Sequence, residues 1–274
     1  MKWLWSTPWP VYALTMLQAN IFGAVFVFAF LRFVLPIDEI VDMGEFRFLN
    51  QYLFIGYLGI AFFAGLVLST VIILPVLREY RAGEEFSFKV RQRVIRIPFY
   101  QSIIAASLWA IGTTIFVLVN LGFSTRLALI VGVTSILGAS STGLISYLQA
   151  ERIMRPITVL ALSQGVPSEV RVPGIRRRIF LGWGLTTMIP VFGVLLVLAG
   201  QWVGLFGDDP TFIFPALIVL GSLAVIAGAV GMSLVSDSIA DPVRELMSAV
   251  MRVEKGDLDA RVTIYDSSEI GQLG

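Results

Sequence analysis

The chain contains neither cysteine nor histidine. Without cysteine there is no disulfide, no thiolate nucleophile and no thiolate-held metal. Without histidine there is no imidazole base, no imidazole metal ligand and no phospho-accepting histidine. Charge is also scarce. Asp, Glu, Lys and Arg make up 14% of the 274 residues, against about 25% in a soluble domain. No phosphate-cradling loop, dinucleotide fingerprint or zinc motif is present, and Gly182-x-Gly184 falls inside an apolar run, where it reads as packing.

Apolar residues fill the space. They make up 57% of the chain, and the mean hydropathy is +0.84. Six runs reach the roughly 20 residues that a helix needs to cross a bilayer: about 11–35, 52–77, 98–121, 127–149, 180–206 and 212–236. Lipid offers the backbone no hydrogen-bond partners, so these spans are expected to be helices. The first run follows a single Lys and lacks a cleavage site, so it reads as an anchor, with Trp3, Trp5, Trp9 and Tyr12 at the interface. The expected fold is an all-α membrane protein: six transmembrane helices as three tandem hairpins over 1–237, then a helix and connector over 238–274.

Charge is distributed unevenly. Arg78, Arg81, Lys89, Arg91, Arg93 and Arg96 lie between the second and third spans. Arg152, Arg155, Arg171, Arg176, Arg177 and Arg178 lie between the fourth and fifth. The other side carries Asp38, Glu39, Asp42, Glu45, Asp208 and Asp209. The positive-inside rule then puts both termini in the cytoplasm of a bacterial inner membrane. The basic clusters also attract anionic lipid. They lack interleaved stacking residues, so no nucleic-acid partner is expected.

Each hairpin closes on a proline followed by an apolar helical start: Pro75-Val76-Leu77, Pro156-Ile157-Thr158 and Pro242-Val243-Arg244. This recurrence reads as a tandem repeat, although proline after a span is also a common stop signal. Small residues at Thr134, Gly138, Thr142 and Ser146 mark a packing seam in span four. Pro190 should kink span five. Gln18 and Asn20 are expected to bond between helices rather than hold a ligand. Arg32 and Arg126 stand at the outer edge. They either snorkel to the interface or contact a lipid carboxylate or phosphate.

The last stretch organises the rest. Pro242 follows the sixth span, and Val243, Leu246, Val250 and Val253 then recur at the spacing of a coiled-coil seam. Lys255-Gly256 closes that helix, since glycine readily takes the left-handed cap conformation. This stretch resembles the HAMP linker of prokaryotic membrane signalling proteins. The resemblance rests on Pro242, on Gly256-Asp257-Leu258, and on Glu269-Ile270-Gly271-x-Leu273. Ser268 stands where the family has Asp, and the second helix is cut at Gly274. The resemblance implies that these residues transmit a signal and that an output domain follows Gly274.

Six spans, little external sequence and such a linker resemble the membrane-anchored class III adenylate cyclases of mycobacteria. That resemblance implies a downstream domain converting ATP to cyclic AMP and pyrophosphate at a site shared by two subunits. Mg or Mn would be bound there. It places no catalytic residue and no cofactor in this chain. It implies a homodimer. Separately, with no external domain to receive a soluble stimulus, the expected ligand is membrane-borne and fatty-acid-like. A histidine kinase or diguanylate cyclase output is the alternative. A transporter is disfavoured by span centres free of ionisable residues.

Overall fold

The computed structural model describes residues 8–33, 43–83, 85–163, 175–205, 211 and 213–255. Every regular element among them is helical: α1 (Trp9–Phe33), α2 (Met43–Ala82), α3 (Phe88–Leu121), α4 (Thr125–Ser163), α5 (Ile175–Trp183), a π-helical turn (Gly184–Met188), α6 (Ile189–Trp202) and α7 (Ile213–Glu254). Five helical stretches are long and apolar enough to cross a membrane, and α7 opens on a shorter apolar stretch, Ile213–Ile226.

The helices outrun their apolar runs. α2 has 40 residues, α4 has 39 and α7 has 42, or about 60 Å each at 1.5 Å per residue, twice the hydrocarbon core of about 30 Å. Pro75 and Pro156, read from sequence as the ends of spans, lie inside α2 and α4. Proline removes one backbone bond and crowds the preceding turn. Ile73, Val76 and Leu77 around Pro75, and Met154 and Ile157 around Pro156, are all buried in one cluster. That packing carries both helices past the defect.

This cluster also takes Tyr12 and Met16 from α1 and Val90, Val94 and Ile97 from α3. It defines a basic end of the bundle, because Arg78, Arg81, Arg93 and Arg152 stand on the same helix turns. The α2–α3 connector is pinned there. Glu79 accepts from Ser87 N (2.8 Å) and Ser87 Oγ (2.9 Å), and Ser87 caps α3 by accepting from Val90 N. Gly83 takes the left-handed turn (φ 70°). Phe30, Leu127, Val197, Ala216 and Leu220 close the opposite end, joining α1, α4, α6 and α7. There α3 and α4 meet through the short turn at Gly122–Ser124.

α4 is the pillar. It packs on α1, α3, α6, α7 and the π-turn. Its small-residue stripe faces α1: a Cβ on Gly138 would overlap Val27, and a Cβ on Gly23 would overlap Thr142. The stripe therefore brings two helices of this chain close together. The irregularity expected at Pro190 is a π-helical turn just before it, with Ile189 N–H reaching back to Gly184 O. Widening the register by one residue accommodates a proline that cannot bond four residues back.

Gly23→Val should open the α1–α4 seam and lower unfolding stability in detergent by about 1–3 kcal/mol, the usual cost of overpacking. Gly56→Ala, with nothing within 4 Å of the new Cβ, should leave thermal unfolding unchanged or slightly raised.

Candidate functional site: the terminal helix and a cavity in the bundle

Two features stand out from the packing. The first is the far half of α7. The helix is continuous through position 242 and ends at Glu254, where Lys255 N–H bonds the carbonyls of Met251 and Arg252. Val243, Val250 and Val253 are exposed at 41%, 66% and 46%. Met247 and Met251 beside them are exposed too. Ala249 alone in this stretch is buried among the described side chains. Position 246 lies on the helix between Val243 and Val250, but the side chains of Pro242 and Leu246 lie outside the described residues, as do Gly256, Glu269 and Gly271 entirely.

The second feature is a cavity of about 500 Å3 between α1, α2 and α3, with Val131 and Ser135 of α4 behind it. Phe28 and Phe54 stack across it at 4.4 Å. Tyr57 lines it, donates to the Leu108 carbonyl, and leaves room for nothing larger than hydrogen on Gly112, whose Cβ would stand 2.6 Å from Tyr57 Cε1.

Each end of the cavity carries amides. Toward the basic end, Gln101 Oε1 accepts from Tyr12 OH (2.8 Å) and from Ser69 Oγ (3.0 Å). Tyr12, Ser69 and Gln101 are all buried, Gln101 to 2% exposure. Two hydroxyl donors on one oxygen orient the amide, so the Nε2 donors point away from them and Gln101 lines the cavity. At the other end Asn50 and Asn120 bond reciprocally, at 3.1 and 2.9 Å, and Asn120 also donates to Phe116 O.

The sequence-derived candidates lie elsewhere. Arg32 falls in the last turn of α1, with its side chain outside the described residues. Arg126 is exposed in the first turn of α4. Their neighbours Phe30 and Leu127 share the cluster opposite the basic end, so both arginines belong to that edge. Arg126 does not line the cavity. Asn20 does, and its amide donates to Met16 O within α1 rather than to another helix. Gln101, Ser69 and the Asn50–Asn120 pair were not foreseen from sequence, where Gln18 and Asn20 were the amides singled out. Their signal was present: amides in or beside apolar runs, at matching distances from the loops that join α2 to α3.

Comparison with known proteins adds the following. The HAMP domain model matches residues 234–274, so the far half of α7 belongs to a HAMP domain and the chain is a membrane signal-transmission module. An uncharacterized protein of Mycobacterium tuberculosis (strain ATCC 25618 / H37Rv) is 27% identical over 262 residues, covering 94% of this chain and 47% of that protein. A second from the same strain is 29% identical over 187 residues, 66% of this chain and 34% of the relative. One from Mycobacterium bovis is 33% identical over 175 residues, 62% and 28% respectively. The chain thus spans less than half the length of these curated relatives. No solved structure matches it.

The reciprocal Asn pair should show as a coupling. In a double-mutant cycle of Asn50→Ala and Asn120→Ala, unfolding in detergent should be non-additive by about 0.6–1.7 kcal/mol, the range for interhelical hydrogen bonds in membranes. Additive losses would mean that the two amides do not interact.

Proposed function

We propose that this chain is the input and transmission part of a membrane-anchored class III adenylate cyclase that works as a homodimer. The observation that carries the reading is α7, one helix that starts in an apolar stretch and runs into the HAMP domain. On this reading six spans form three tandem hairpins, with both termini cytoplasmic and the basic end inside. A catalytic domain follows Gly274, holds Mg or Mn, and converts ATP to cyclic AMP and pyrophosphate. The mycobacterial relatives, more than twice as long as their matched parts, leave room for such a domain.

The dimer rests on the uncovered side chains of α7. Val243, Val250 and Val253 are 41–66% exposed and lie in none of the buried clusters among the described residues. With Leu246 they carry the coiled-coil spacing. Burying each against a parallel copy gains about 1.5 kcal/mol or more before entropy costs. On this reading Gly256, Glu269 and Gly271, which lie outside the described residues, belong to the same transmission element. Membrane lipid is the partner class on the input side, with Arg32 and Arg126 placed at the outer edge for anionic headgroups.

Two measurements test this. In the cysteine-free background, Val243→Cys, Leu246→Cys and Val250→Cys should cross-link between chains while Arg244→Cys and Arg252→Cys should not; a flat profile would defeat the seam. The full-length protein should form cyclic AMP from ATP with Mn, while residues 1–274 alone should form none. Autophosphorylation, or cyclic di-GMP from GTP, would instead assign a kinase or diguanylate cyclase output.

A further inference from the structure

The cavity shares no residue with the HAMP helix or with the two edge arginines, and one amide in its wall has donors to offer. Gln101 spends its carbonyl on Tyr12 and Ser69. Among the described residues no acceptor is bonded to its Nε2. The residue is 2% exposed and lines the cavity. Its Nε2 donors are free and open onto the cavity, so they offer a hydrogen bond to an acceptor on whatever fills it.

The shape of the cavity narrows the choice. It is lined from Gln101 to Phe116 on α3 and from Ser69 back to Asn50 on α2, rises of about 22 and 28 Å. The cavity is therefore long, and it takes an extended acyl chain lengthwise. The walls are suited to a chain: Leu17, Ile21, Leu58, Ala61 and Leu108 line the middle.

Charge narrows it further. Around Gln101 the described lining residues are Met16, Ser69 and Ile104, all uncharged. Arg96, the nearest cation along α3, is exposed more than a turn away. An ionised headgroup would sit there without a counter-charge, a loss that hydrogen bonds from one amide do not offset.

We infer that this cavity is a binding site for a neutral acyl lipid, whose headgroup oxygen accepts from Gln101 Nε2 and whose chain runs along α3 past Trp109 toward Asn50. The inference rests on the chain spanning a membrane, not on the identity of its output. It departs from an arginine-held fatty-acid anion, because the donor is an uncharged amide deep in the bundle.

A monoacylglycerol brominated at mid-chain is the probe, and Trp109, eight residues along α3 from Gln101 and lining the cavity, is the reporter. Added to the intact chain in detergent micelles, the probe should quench saturably, and Trp109→Phe should remove the saturable part. Gln101→Leu should weaken apparent affinity about tenfold or more. Ala61→Phe, which obstructs the chain path and leaves the Gln101 cluster intact, should abolish saturation in protein that still elutes as a folded species. The same bromo-chain as an ionised fatty acid at alkaline pH should bind at least tenfold more weakly. Quenching equal in Ala61→Phe and wild type would place the bromines in the micelle and overturn the site. Unchanged affinity in Gln101→Leu would overturn the headgroup contact, and equal affinity for the anion would overturn its neutrality. None of these readouts uses cyclic AMP, so failure here leaves the transmission reading intact, and the reverse holds as well.

Discussion

Where α1 crosses α4, glycine on each helix receives a larger side chain of the other, Gly23 under Thr142 and Gly138 under Val27. In lipid no hydrophobic force draws helices together, so dispersion at such close crossings does much of the work. The rest of the arrangement depends on it. With α1 held on one side of α4 and α3 on another, α2 packs mainly on α3 and less closely on α1, and the space left between the three is the cavity. Trp109 wedges against both glycines and forms part of the cavity wall. One crossing thus fixes the seam and leaves the void.

Much of the architecture was legible from residue pattern alone. Apolar run length located the helices to within a few residues wherever a run met a tight turn, as at Gly122–Ser124. The stripe from Thr134 to Ser146 was readable as a packing face, and Gly138 and Thr142 are its points of contact. Hydropathy failed at the other ends. α2, α3 and α4 extend into polar sequence because Val76, Leu77, Val94 and Ile157 bury one another there. That packing depends on which helices are neighbours, and no single-helix pattern encodes it. Pro190 was visible as a disturbance, but its resolution into a π-turn, against which α7 packs, was not.

The candidate site divided in the same way. The exposed apolar positions of α7 are written in spacing, since Val243, Val250 and Val253 repeat at intervals that mean little except on a helix. Gln101 offered no such rhythm. Its meaning arises only when Tyr12, 89 residues away in sequence, and Ser69, 32 away, converge on one oxygen. Neutral amides carry weak signals singly and strong ones in company, and company is a tertiary property.

The length of α7 has a mechanical consequence. The helix rises about 63 Å over its 42 residues, continuing past Pro242 although proline removes one backbone bond there. Its first turns, through Ala216 and Leu220, are clamped in the cluster opposite the basic end, and Gly228 lies against Thr186 of the π-turn. Beyond Gly228 the helix continues for 26 residues to Glu254, an arm of about 39 Å. Leverage then sets the scale: pivoting at the π-turn by about 5° would carry the tip sideways by about 3 Å. That is more than half a helix radius with its side chains, while the clamped end hardly moves.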